Sequence, residues 1–181
     1  MSERLFLAVN LADPIKDEIK KIQDEIKTQM RRSQITWTWP ENFHITLHFL
    51  GDVEEVEREH LCEELRAKKY PEVFASHVLG VSAFPSKKQP RTIFVDTDLH
   101  PNMLGLRKRT ADVLVGLGFI LDERPWVPHI TIGRVRVQSE VLKPEEIKWE
   151  KILFQISGFE LMRSTLTSNG SIYEIVESFK L

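Results

Sequence analysis

After a charged start, the chain runs through five consecutive apolar residues, Leu5-Phe6-Leu7-Ala8-Val9. A run in which neither alternate position is polar predicts a strand buried on both faces. Asp13-Pro14 follows as an N-cap residue and a proline at the first helical position, and Ile15, Ile19, Ile22, Ile26 and Met30 recur at three- and four-residue spacing. That period predicts an amphipathic helix of roughly five turns. Gln34 to Trp39 is β-branched and aromatic, Pro40-Glu41-Asn42 is a turn, and Phe43 to Leu50 is a strand closed by Gly51-Asp52. Glu54 to Lys69 carries a weak helical stripe of Val56, His60, Leu61 and Leu65, with His60 expected as partly buried filler.

The second half repeats this grammar. Val73 to Phe84 alternates as a strand, Pro85 to Pro90 is a basic loop, and Arg91-Thr92-Ile93-Phe94-Val95 completes a hairpin. Pro101 to Gly118 predicts a long helix with Met103, Leu106, Thr110, Val113, Leu114 and Leu117 on its apolar face. Phe119-Ile120-Leu121 is expected as a short strand, Asp122 to Pro128 as an approach loop, and His129 to Val137 as a strand. Pro144-Glu145-Glu146 opens a short turn. Lys151 to Leu166 and Ser171 to Leu181 form a final hairpin around Thr167-Ser168-Asn169-Gly170, where Asn-Gly supplies the positive φ of a tight turn. The order strand, helix, strands, helix, hairpin, helix, strands suits an α+β fold of two similar lobes.

Within those lobes one tetrapeptide occurs twice, as His44-Ile45-Thr46-Leu47 and His129-Ile130-Thr131-Ile132. With six His in 181 residues, chance supplies a His-Ile-Thr triplet only about 0.03 times in such a chain. Both copies are approached by tryptophan and proline and followed by glycine. On a strand, side chains alternate, so His44 and Thr46 share one face and His129 and Thr131 do likewise, while Ile45, Leu47, Ile130 and Ile132 anchor the opposite face. Facing strands would converge two imidazoles and two hydroxyls on one polar volume. By strict alternation His48 also lies on the His44 face, as an exposed or supporting residue.

This set suits phosphoryl chemistry. Imidazole titrates near neutral pH, so one histidine can act as general acid while the other acts as general base. Hydroxyls can donate to non-bridging phosphate oxygens as charge concentrates there. Arg91 and Arg134 are candidate phosphate clamps, each equally readable as surface arginine, and Lys87 and Lys88 read either as a solvated loop or as contacts to a neighbouring phosphodiester. A zinc site from His44, His48 and His129 is disfavoured, because a four-residue spacing meets one metal only on a helix. No metal or nucleotide cofactor is expected. Glycine-rich phosphate loops and a Gly-x-Ser-x-Gly elbow are absent.

Composition narrows the setting. The length suits one domain or two small lobes sharing a core, and the net charge of −2 argues against wholesale wrapping of nucleic acid, leaving room for a nucleic-acid end. No run approaches a membrane span and the N-terminus lacks a signal-peptide pattern, so a cytoplasmic protein is expected. Cys62 is the one cysteine, in a Glu-rich helical stretch unsuited to a catalytic thiol.

HITLHFLG together with WVPHITIGR resembles the paired signatures of the two-histidine phosphoesterase superfamily, specifically the RNA 2′,3′-cyclic phosphodiesterases first described as 2′-5′ RNA ligases. The resemblance spans the chain, through RLFLAVNL at the start, AFPSKKQPR at the hairpin and STLTSNGSIYEIV with a final Phe-x-Leu at the end. It implies a single bilobal α+β domain over 1–181, with two antiparallel sheets lining a central cleft, helices outside, and both chain ends in one lobe. It further implies His44 as proton donor and His129 as proton acceptor, with Thr46 and Thr131 holding the phosphate. Phe49 and Trp126 are candidates for stacking the base. The expected reaction opens RNA 2′,3′-cyclic phosphate ends to 2′-phosphomonoesters, with reverse 2′-5′ ligation on the same site. Expected partners are such RNA ends, tRNA halves or short nucleotides among them, met by a monomer. Alternatives are a phosphodiesterase for a small cyclic nucleotide or 2′-5′ oligonucleotide, and a non-catalytic module that binds RNA ends.

Overall fold

The computed structural model describes residues 2–138, 140–167 and 170–181. Its first strand, β1 (Glu3–Asn10), is buried on both faces because the sequence leaves neither phase polar. Leu5, Leu7 and Val9 join the main core, while Phe6 and Ala8 pack on the other face with Met162 and Tyr173. Helix α1 (Asp13–Gln29) buries Ile19, Ile22 and Ile26. It begins one residue earlier than the sequence pattern suggests: Ala12 is the N-cap, and Asp13 lies in the first turn, where its carboxylate complements the helix dipole.

The remaining elements are β2 (Gln34–Trp37), β3 (His44–Val53), α2 (Glu55–Ala67), β4 (Phe74–Pro85), β5 (Pro90–Thr97), α3 (Pro101–Gly116), β6 (His129–Val137), β7 (Leu153–Ile156), β8 (Gly158–Thr167) and β9 (Gly170–Lys180). A one-turn 3₁₀ helix at Pro40–Asn42 precedes β3, and another occupies Pro144–Glu146. The strands pair antiparallel in the order β7-β4-β5-β6-β3-β1-β8-β9, with β2 on β6. Both chain ends therefore lie in the half that holds β3. The fold is α+β, as expected, but the two expected sheets form one curled path, joined between β3 and β6 at the single pair Ile45 and Ile130.

Among the described residues, all three α-helices cover one face. Ile22 and Ile26 of α1, Leu61 and Leu65 of α2, and Met103 and Leu106 of α3 share a core with Ile45, Ile93, Ile130 and Ile132. The opposite face is left for the motif histidines and threonines. Among the described residues no helix is long and apolar enough to cross a membrane.

Three sequence expectations fail for identifiable reasons. Phe119 to Leu121 forms no strand: Phe119 and Leu121 pack against the core, while Ile120 between them is 96% exposed. His60 is exposed and lies 3.9 Å from Glu64 one helical turn on, so it is surface and not filler. His48 is turned away from His44 by a β-bulge: β1 pairs Leu7 with His48 and Ala8 with Thr46, so Leu47 is an extra residue and the alternation changes phase there. Gly170 does take a positive φ, of 127°. Ser168 and Asn169 of that turn lie outside the described residues.

Candidate active site

Each motif histidine is placed by the loop that delivers it. The 3₁₀ turn at Pro40–Asn42 puts the Asn42 carbonyl 2.7 Å from His44 Nδ1, and Asn42 Nδ2 donates to the Ser171 carbonyl at 2.9 Å, fixing the turn on β9. At the second motif the Val127 carbonyl lies 2.7 Å from His129 Nδ1. A carbonyl only accepts, so in both rings Nδ1 carries the proton and Nε2 is left as the working nitrogen. His44 Nε2 lies 3.0 Å from the Thr46 hydroxyl.

Long-range bonds lock the two motif strands together. Gln23 of α1, 1% exposed, donates from Nε2 to the carbonyls of Thr38 and Ile132, each at 2.8 Å. Trp126 Nε1 donates to the Thr46 carbonyl at 3.0 Å, tying the approach to the second motif onto the strand of the first. Gly133 serves close approach and not backbone freedom, for a Cβ there would stand 2.9 Å from the Trp37 ring on β2. Gly51, after the first motif, does need glycine, with φ at 77°.

The surroundings of the two rings correspond closely. Phe6 lies 5.1 Å from His44 and Phe94 lies 5.0 Å from His129, centroid to centroid. Tyr173 meets His44 edge-on at 5.2 Å, and Phe84 meets His129 edge-on at 5.3 Å. Burial holds both imidazoles below their ordinary proton affinity. His44 is pushed down to about 4, chiefly by burial against the opposing Asn42 carbonyl, and further by positive charge on His129 and Lys16. His129 is lowered by burial and by Arg134, partly offset by the Val127 carbonyl and Asp96. Burial in turn raises Asp96, opposed by His129 and Lys87.

The structure thus brings His44, Thr46, His129 and Thr131 to one face, on strands that meet at Ile45 and Ile130. Arg134 joins them, since it pairs with Thr92 after a bulge in β6, and it is exposed beside His129. Phe49 is 69% exposed with its ring 6.2 Å from Phe6, on the same face. Arg91 is the extra residue of a bulge at the start of β5, since β4 pairs Phe84 with Thr92 and Pro85 with Pro90, and its side chain is exposed there. Trp126 is half-buried under the Arg107 guanidinium, 5.1 Å away, and acts here as a strut. His48, buried beneath α3, donates from Nε2 to the Arg107 carbonyl at 3.0 Å. Among the described residues no three His, Cys, Asp or Glu side chains converge as metal ligands. Burial and a hydrogen bond to Glu177 raise the Cys62 thiol to about 11, which keeps it protonated.

Sequence reasoning missed Phe6, Phe84, Phe94, Asp96, Lys16 and Tyr173. For Phe94 and Asp96 the signal was present as every second residue of Thr92 to Asp96, but it acquires meaning only once β5 is known to lie beside β6.

A sequence profile described as LigT-like phosphoesterase matches residues 9–95 and 93–173, one copy over each half of the chain. The chain belongs to the LigT-like phosphoesterase family. Within that family it is 33% identical to an RNA 2′,3′-cyclic phosphodiesterase of Thermotoga maritima, over 96% of this chain and 92% of that one. It is 34% identical to an RNA 2′,3′-cyclic phosphodiesterase of Methanocaldococcus jannaschii, over 97% of this chain and 99% of that one. The crystal structure of Escherichia coli LigT complexed with 3′-AMP superposes with a TM-score of 0.82 at 20% identity, covering 100% of this chain and 99% of that one. That likeness fixes the LigT-like fold.

Proposed function

We propose that this chain is an RNA 2′,3′-cyclic phosphodiesterase, acting over 1–181 as one unit of two pseudo-symmetric halves. The observation that carries the reading is the matched pair of imidazoles, each with Nδ1 committed to a carbonyl 2.7 Å away and Nε2 left for proton transfer, on strands that meet between the two motifs. The naming of full-length relatives as RNA 2′,3′-cyclic phosphodiesterases supports the substrate class.

Opening the cyclic ester requires water to attack phosphorus in line with the departing 3′-oxygen, so the base and the acid must stand on opposite sides of the phosphate. His129 Nε2 takes a proton from water as the new P–O bond forms. His44 Nε2 gives a proton to the 3′-oxygen as the P–O3′ bond breaks, leaving a 2′-phosphomonoester. The Thr46 and Thr131 hydroxyls donate to the non-bridging oxygens, and Arg134 adds positive charge at the exposed margin. Phe49 offers an exposed ring to the base next to the cyclic phosphate. Every proton transfer is assigned to a side chain, so the mechanism is metal-independent, and run in reverse it joins a 5′-hydroxyl to the cyclic phosphate through a 2′-5′ bond. The chain acts as a monomer in the cytoplasm on short RNA ends of this kind.

The test is incubation of the protein and excess chelator with an RNA bearing a 2′,3′-cyclic end, followed by identification of the terminal isomer. A 2′-phosphate is expected. A 3′-phosphate, or activity that requires added metal, would overturn the mechanism. Binding without turnover would leave the module a reader of RNA ends.

A further inference from the structure

The frames around the two histidines match in shape but differ in charge. Residues directly opposite on antiparallel strands share a face, with Cβ atoms about 4.5–5.5 Å apart. Asn10 of β1 lies opposite His44, and Asp96 of β5 lies opposite His129. The same structural place therefore holds an amide in one half and a carboxylate in the other.

The other groups facing the rings sharpen this contrast. His129 faces Asp96 from β5, Phe84 from β4, Arg134 from its own strand and His44 across the site, with Lys87 of the hairpin tip acting on Asp96. His44 faces Tyr173 of β9, His129 and Lys16. Lys16 is buried on α1 with its ammonium donating to the Glu41 carbonyl at 3.1 Å. In that half the carboxylate is Glu160 of β8, which pairs with Ala8 of β1 and so lies one strand further from the ring, its proton affinity lowered by Asn10 and raised overall by burial. A buried ammonium thus acts on His44, and a carboxylate, Asp96, acts on His129 from the directly opposite position.

We propose that Asp96 is a positioning residue that places the shared proton on His129, not His44, in the substrate-free protein. The inference rests on the paired-histidine reading of the site. Its direction agrees with the deeper depression of His44 by burial and Lys16 and with the partial rescue of His129 by Asp96. In catalysis His44 begins charged and neutral His129 gains a proton, so positive charge moves toward Asp96 and away from Lys16. Asp96 stabilises the imidazolium as it forms, while in the resting protein it favours the singly protonated form that cannot act.

Titration of the two imidazoles by NMR, without substrate, tests this directly. The His129 midpoint is expected above that of His44, and Asp96→Asn should lower it by about half a pH unit or more, the scale of losing one nearby partly screened charge. In kcat/KM against pH the alkaline limb then reports His129, and the same variant should move that limb to lower pH. The plateau should change less than tenfold, because the productive protonation state becomes commoner as the base becomes weaker. Asn10→Asp should raise the His44 midpoint. A His44 midpoint above that of His129 in the unaltered protein, or a His129 midpoint unmoved in Asp96→Asn, would overturn the proposal. If Asp96→Asn fails to fold, Asp96→Ser removes the same charge and carries the same expectation. Since the titration needs no substrate, it also decides the role of Asp96 in a protein that proves inactive on cyclic phosphates.

Discussion

At His44 and His129 the carbonyl two residues upstream, on Asn42 and on Val127, settles which ring nitrogen is free. That equivalence leaves donor and acceptor to be separated by chemistry. A general acid matters in proportion to how badly the leaving group needs a proton. Replacing the 3′-oxygen with a nitrophenolate that departs as an anion should therefore substantially rescue His44→Ala, whereas His129→Ala stays slow because water must still lose its proton. Turnover of a nitrophenyl diester bound with its leaving group in the 3′-oxygen position measures this, and rescue of His129→Ala alone would exchange the roles. The four motif residues were legible because the signal is local and repeated. Asp96 and the rings of Phe6, Phe84, Phe94 and Tyr173 were not, because what makes them neighbours of the histidines is strand pairing between distant segments. His48 was misplaced for a related reason, since nothing in His44 to Gly51 announces that its partner strand will skip Leu47.

The motif strands depend on a few buried polar bonds as much as on packing. Gln23 is, with Lys16, one of two polar residues on the buried face of α1, and its amide holds the carbonyl before the first motif turn and the last carbonyl of the second motif at once. Gln23→Met keeps the volume and the helix propensity but removes both donations. The Ile132 carbonyl retains the Thr38 N–H at 3.1 Å, whereas the Thr38 carbonyl loses the Gln23 amide. A loss of about 1–3 kcal/mol in folding free energy is expected from urea unfolding. A change below a few tenths would mean that water satisfies these carbonyls equally well. Helices and most strands were readable from periodicity because each buries one face against the same core. The Phe119 to Leu121 segment shows the limit of that rule: three apolar residues in a row satisfy the pattern, but only Phe119 and Leu121 reach the core and Ile120 is left in solvent.

Over the whole molecule, the two halves and their order could be read from the repeat, while the joining of their sheets at one residue pair could not, since a single Ile45–Ile130 pairing leaves no periodic trace. The assembled fold buries His48 and leaves His44 and His129 half-buried, and burial lowers the proton affinity of each. A group depressed in the folded state binds protons more readily when unfolded, so its contribution to stability is present above the unfolded value and is lost as pH falls through the folded one. For His44 the window runs from 6.5 down to about 4. The carboxylates held low by partners, Asp24, Asp98 and Glu177 among them, lose their contribution only at lower pH, below the ordinary values of 3.8 and 4.5. Asp96 and Glu160, raised by burial, act in the opposite sense and soften the fall. The urea midpoint should therefore drop between pH 7 and pH 5, before ordinary carboxylates titrate. The paired variant His44→Asn with His129→Asn should show a smaller drop over that interval, because two of the three protonation sites are gone. An equal drop in the unaltered and paired-variant proteins would assign the acid sensitivity to His48 or to groups outside the site, and would remove the link between assembling these histidines and the stability of the fold.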